Sequence, residues 1–288
     1  MNSVDPAKWA PWLNNEDIRP YVYVRESNKI AHPGKKHRLD WFKYAPVYKN
    51  PLDLNELEFA EQIYFMEAKA FGPSNMAMPR WVFYDCAVVP GFVAGFAMRT
   101  KALPEAVKKV MRFDPKHEWT PLSLFIIIPT IMRGEWVAHN LCSVNSLLPE
   151  KDRLYGIGFL SKAFGLWYAN VETCCGITQW GSPAIKLHTN YGALEVMTAY
   201  TPVHSHARTL TYRAKVDTGA WEKFFTKEED LGFLERYEKA GFQLDPLDDK
   251  SMIELHSKIQ KGENAYFLSA SDIAKKSLND KLDIYVPK

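Results

Sequence analysis

The segment Arg153-Leu-Tyr-Gly156-Ile-Gly158 lies between two stretches of different periodicity, and it restricts what the chain around it can build. Before it, Trp136–Val144 reads as a strand; after it, Phe159–Ala169 is an apolar-rich helical run. Two glycines ahead of a helix let the backbone turn tightly and leave the first helical amides free. Together with the positive end of the helix dipole, those amides form a site for an anion such as a ligand phosphate. A glycine pair on its own is also ordinary turn chemistry, so the rest of the chain has to supply the context.

That context is a mixture of strands and helices. Asn55–Phe71 predicts a helix, with Leu57, Ala60, Ile63, Tyr64, Met66, Ala70 and Phe71 on one stripe and Gly72-Pro73 as the stop. Trp81–Val89, Pro90-Gly91 and Phe92–Met98 read as strand, tight turn and strand. Pro104–Met111 is a short helix. Leu122–Ile131 and Trp136–Val144 read as a hairpin across Met132–Glu135. After the glycine segment come a strand at Thr173–Trp180, a short helix at Ser182–Asn190, and paired strands at Leu194–Thr201 and Arg208–Val216. Residues 1–36 carry Pro6, Pro11, Pro20 and Pro33 and read as an N-terminal arm, and His37–Tyr44 as a first strand. From 217 the charge density rises and the pattern turns helical, so 217–288 reads as a mainly helical extension. The expected fold class is α+β, with 37–216 as its central domain.

Bulk properties remove several classes. The net charge of +2, with 36 basic residues dispersed among 34 acidic ones, does not suit nucleic acid or an anionic membrane surface. Leu122–Ile131, the most apolar run, is too short to span a bilayer. The first residues lack the basic-then-apolar pattern of a signal peptide, and four cysteines in 288 residues are not a disulfide scaffold. A cytoplasmic protein with reduced cysteines is expected. Aromatics at 14% favour a sizeable core and an aromatic-lined pocket.

The order of elements from 37 to 216 resembles the GCN5-related N-acetyltransferase (GNAT) superfamily, whose fold is a twisted, mostly antiparallel mixed sheet flanked by helices. Two motifs carry the resemblance. Arg153, Gly156 and Gly158 fill the family's Gln/Arg-x-x-Gly-x-Gly/Ala loop, with Pro149 four residues before Arg153 where the family usually places proline at three. Ala184, Leu187 and Gly192 match a second pattern, in which Gly181, His188 and Ala193 stand where the family often has Asn, Tyr and Phe. The resemblance implies acetyl-CoA or a longer acyl-CoA as co-substrate, its pyrophosphate held by the loop Arg153, Leu154, Tyr155, Gly156, Ile157 and Gly158. It implies a strand-four amide near Leu141–Ser143, at Ser143 among others, polarising the acyl carbonyl. Where the family tyrosine often protonates the departing thiolate, this chain has His188, which either takes over that role or marks an altered or absent acetyl transfer.

Acyl transfer to an amine also needs a base. His139, on strand four, and Glu135, at the turn before it, are the candidates. Against these stand a hydrogen-bonded core histidine and a solvated turn carboxylate. His204 and His206, with His188, offer three imidazoles for a metal-dependent hydrolase, although a polar turn between the last two strands is the preferred reading of the pair, and no metal is expected. The readings are therefore an acyl-CoA-dependent N-acyltransferase acting on a small-molecule or protein amine, a GNAT-fold binding protein that has lost its chemistry, and the hydrolase. The 217–288 extension suits either a cap over the acceptor or a homodimer contact.

Overall fold

The computed structural model describes residues 10–30, 44–89, 91–204, 206–217, 221, 231–277 and 279–288. Chain contacts divide it at Val171/Glu172 into two compact units, a division that falls inside the 37–216 stretch expected as one domain. All but Tyr44 of the expected strand 37–44 lies outside the described residues.

The first unit is organised by β3 (Phe92–Arg99), buried from Phe92 to Met98 as an all-apolar run demands. On one side it pairs antiparallel with β1 (Ile18–Tyr23), and β1 pairs parallel with β2 (Val47–Lys49). On the other side it pairs with β5 (Ser123–Pro129) and, towards its end, with β4 (Trp119–Pro121). The hairpin partner of β5 is β6 (Glu135–Ser143), as the sequence predicts. β1 corrects the reading of residues 1–36 as an arm. Tyr21, Val22 and Tyr23 are fully buried in the sheet. Pro20 lies one residue before pairing with β2 begins, where β1 has a single neighbour and a missing N–H is tolerated.

Helix α1 (Leu57–Phe71) buries Phe59, Ala60, Ile63 and Met66 on its sheet face, and the Phe59 ring meets Tyr21 edge-on at 4.9 Å. Trp81–Val89, expected as a strand, is instead α2 (Arg80–Val88). Phe83, Cys86 and Ala87 are buried at i, i+3 and i+4, while Trp81 is 68% exposed. The β-branched and aromatic content of the segment pointed to a strand, but its burial has helical period. α3 (Glu105–Val110) follows as predicted.

α4 (Ile157–Tyr168) packs against β3 and β5. At Gly165 a Cβ would stand 2.5 Å from the Phe125 ring, so only glycine allows this approach. The first turn of α4 is pinned through Ser161, whose Oγ lies 2.7 Å from Ser123 Oγ and 2.6 Å from the Ile157 carbonyl. Ser123 Oγ also accepts the Phe96 amide at 2.9 Å, and the Ser123 carbonyl accepts the Tyr21 hydroxyl at 2.8 Å. One buried serine on β5 therefore joins β1, β3 and the head of α4.

In the second unit, β7 (Thr173–Gln179) pairs with β9 (Thr209–Lys215), which pairs with β8 (Leu194–Thr198); α5 (Ala184–His188) lies between β7 and β8 in sequence. Residues 231–288 correct the expectation of a mainly helical extension. Helices α6 (Leu231–Arg236), α7 (Asp249–Gln260) and α8 (Ala270–Lys275) are interleaved with β10 (Tyr237–Leu244), β11 (Phe267–Leu268) and β12 (Leu282–Pro287). β11 pairs with β8 and with β12, and β12 with β10, all antiparallel. Leu282 and Ile284 alternate into the core with Leu244, Leu268, Met252 and Leu255, a period-two pattern short enough to be hidden by the surrounding charges. Among the described residues β1–β2 is parallel and the other pairings named above are antiparallel, so the sheet structure is mixed, mostly antiparallel and flanked by helices.

Candidate active site

The link from β6 to α4 is held in one shape by side chains. Asn145 grips Leu154 from both sides: Nδ2 donates to the Leu154 carbonyl at 2.7 Å, and Oδ1 accepts the Leu154 amide at 2.8 Å. Trp12, on the short 3-10 turn Pro11–Asn14, donates from Nε1 to the Tyr155 carbonyl at 2.8 Å and sets its ring edge-on to Phe96. Arg153 Nε donates to the Leu148 carbonyl at 3.3 Å. Gly156 is the N-cap of α4 with φ 76° and ψ −2°, a left-handed conformation that favours glycine. No side chain caps the helix. The Ile157 amide reaches the Leu154 carbonyl at 3.3 Å, while the amides of Gly156 and Gly158 have no protein acceptor among the described residues. Arg153 and Tyr155 are exposed beside them, and Ile157 is buried as the anchor. The result is a pair of amides without protein acceptors among the described residues, on partly exposed glycines at the head of a twelve-residue helix and beside exposed Arg153.

β6 is not a regular strand. Phe125 pairs with Leu141 and Ile127 with Ala138, so Ile126 alone stands opposite two residues, His139 and Asn140. This β-bulge interrupts the alternation that would put His139 and Leu141 on one face, and brings the side chains of two sequence neighbours together. His139 Nδ1 lies 3.0 Å from Asn140 Oδ1. Asn140 Nδ2 donates to Glu67 Oε1 on α1 at 2.7 Å, and the Met78 amide donates to the same oxygen at 2.9 Å. Glu67 is fully buried, and its Oε2 has no partner among the described residues. Burial pushes the Glu67 carboxyl above the usual carboxylate range, only partly offset by the Met78 and Asn140 donors. Burial also pushes the Cys142 thiol far up, with the Glu67 charge adding to it, so this cysteine is no ready nucleophile. His139, by contrast, is exposed.

The remaining candidates are placed differently. Glu135 accepts the Thr130 hydroxyl at 2.9 Å and closes the β5–β6 hairpin. The Ser143 carbonyl accepts the Ser146 hydroxyl at 2.9 Å at the end of β6. His188 ends α5 in the second unit, buried, with its ring centroid 5.1 Å from that of Tyr212. His204 Nδ1 accepts the His206 amide at 3.0 Å, the polar turn. Among the described residues no three His, Cys, Asp or Glu side chains are grouped to hold a metal ion, so His188, His204 and His206 do not form the three-histidine site of the hydrolase reading.

Sequence reasoning missed Glu67, Asn140, Asn145 and Trp12. For Glu67 a signal existed: it falls on the stripe of Ala60 and Ile63, so a carboxylate had to be buried there. The partners of the other three lie 9 to 143 residues away or depend on the bulge, which leaves no periodic trace.

No family model matches the chain, and no curated protein matches it. The chain is similar to acetyltransferases of known structure. Aminoglycoside 6'-acetyltransferase type Ii aligns at TM-score 0.39 and 10% identity over 57% of this chain and 94% of that one. NAA60 of Arabidopsis thaliana, in complex with a bisubstrate analogue, aligns at 0.38 and 10% over 55% and 95%. The NatC complex bound to Gag peptide and CoA aligns at 0.37 and 12% over 58% and 96%. At these values the similarities decide nothing about chemistry, which rests on the loop and the bulged strand.

Proposed function

We propose that the protein is an acyl-CoA-dependent N-acyltransferase that moves an acyl group from a CoA thioester to an amine. The observation that supports this reading is the pair of unpartnered amides of Gly156 and Gly158 at the head of α4. They suit a pyrophosphate: they sit on partly exposed residues, carry the helix-end charge, and are preorganised by Asn145 and Trp12. Arg153 adds a positive charge at the same end.

Bound acyl-CoA supplies an activated carbonyl carbon, and the residues of this chain manage protons around it. His139 accepts the proton that the attacking amine loses as the carbon–nitrogen bond forms and the carbon–sulfur bond breaks. The departing thiolate takes its proton from solvent. A backbone amide of β6 near Leu141–Ser143 donates to the carbonyl oxygen as its charge grows. A binding protein without turnover is the second reading, favoured by the burial of His188 against Tyr212.

The test is thiol release from acetyl-CoA and a medium-chain acyl-CoA against a panel of small amines and peptide N-termini. Turnover should fall about 10²-fold or more in His139→Gln, with acyl-CoA affinity unchanged. Acyl-CoA binding with no release on any amine would favour the binding-protein reading.

A further inference from the structure

His139, Asn140 and Glu67 form a chain of hydrogen bonds that ends on an exposed imidazole, and its direction is fixed from the buried end. Glu67 Oε1 already receives the Met78 amide at 2.9 Å, so it acts as an acceptor. The Asn140 group facing it at 2.7 Å must therefore be the amide nitrogen. That turns the Asn140 carbonyl oxygen towards His139, 3.0 Å from Nδ1. A carbonyl oxygen can only accept, so Nδ1 must carry the ring proton and donate it. In the neutral ring Nε2 is then left with its lone pair, and His139 is exposed enough to offer it to a second molecule. Without such a bond a neutral histidine side chain favours the opposite tautomer, with the proton on Nε2 and no basic nitrogen there.

We propose that Glu67 and Asn140 are positioning residues that hold His139 in the Nδ1–H tautomer, making Nε2 the base that receives the proton of the acceptor amine. The bulge is the device that permits it, because neighbours on a regular strand point to opposite faces and could not bond side chain to side chain. Glu67 is suited to this post by having no exposed surface: its orientation is set by α1 packing and the Met78 amide rather than by solvent. The role assigned to Nε2 rests on the N-acyltransferase reading, whereas the tautomer does not.

The experiment uses two variants of the full chain. Glu67→Gln keeps an acceptor oxygen facing Asn140. Glu67→Leu removes it and replaces a buried polar group with an apolar one, leaving the Asn140 and Met78 donors without that acceptor. Long-range proton–nitrogen NMR at a pH where the ring is neutral, with the His139 signals assigned from His139→Gln, reads the tautomer directly and needs no acyl-CoA. The expected result is Nδ1–H in the parent protein and in Glu67→Gln, and a shift towards Nε2–H in Glu67→Leu. Turnover should fall about tenfold or more in Glu67→Leu with acyl-CoA affinity unchanged, and recover in Glu67→Gln. A parent protein carrying the proton on Nε2, or a Glu67→Leu variant with unaltered tautomer, overturns the proposal. If the tautomer behaves as stated but His139→Gln retains full turnover, the assignment of Nε2 as the base is wrong.

Discussion

Glu67 combines two properties that rarely coexist: it is entirely buried, and only one of its carboxyl oxygens is bonded among the described residues. A carboxyl raised by burial contributes stability that is fully present below its unfolded pKa and is lost as pH rises through the higher folded value. Glu67→Gln removes that dependence. Measured by thermal melts, its stability relative to the parent protein should increase as pH rises through the range above that of an ordinary carboxylate, where the buried carboxyl ionises. An unchanged difference across that range would mean that Glu67 titrates normally. At this scale the sequence was legible where chemistry follows from local context. Arg153, Gly156 and Gly158 form the helix-head loop they were read to form, and His139 lies on an exposed strand position. Asn140 was not legible as a partner, because its bond to Glu67 spans 73 residues and needs a one-residue bulge.

Among the elements, the β6-to-α4 connection is held by side chains as well as by its short backbone turns. Asn145→Ala leaves the amide and carbonyl of Leu154 without their partners, a loss of about 1–2 kcal/mol in urea denaturation. The loosened loop should also bind acyl-CoA roughly tenfold more weakly, the equivalent of about 1.4 kcal/mol. An Asn145→Ala protein with parental affinity would show that the loop is not preorganised by this residue. Helix α4 sets a second limit. Gly165→Leu drives a side chain into the Phe125 ring and should destabilise the fold by about 1–3 kcal/mol in the same assay. The β5–β6 hairpin, α1 and α4 were readable because their apolar spacing matches one period over many residues. α2 was misread because Trp81, Val82, Val88 and Val89 favour strands by type, whereas the burial of Phe83, Cys86 and Ala87 follows a helix.

Across the whole chain, local order was far easier to read than long-range pairing. β1 stands against β3 some 70 residues on, and β8 is joined by β11 through Glu195↔Phe267. Neither contact has a sequence signature, so the buried first strand reads as an arm and the strands after 231 as part of a mainly helical extension. No helix among the described residues is long and apolar enough to cross a membrane. The central claim concerns the two open amides at the head of α4, and calorimetric titration with acetyl-CoA tests it most directly. Gly158→Glu is the variant to compare, because a carboxylate in the first turn suits the helix dipole yet repels a pyrophosphate. Saturable binding by the parent protein, lost in a Gly158→Glu protein of undiminished thermal stability, is the predicted result. Parental binding that survives the substitution would place the CoA phosphates elsewhere, and no binding of acetyl-CoA or of a medium-chain acyl-CoA by either protein would contradict the N-acyltransferase account.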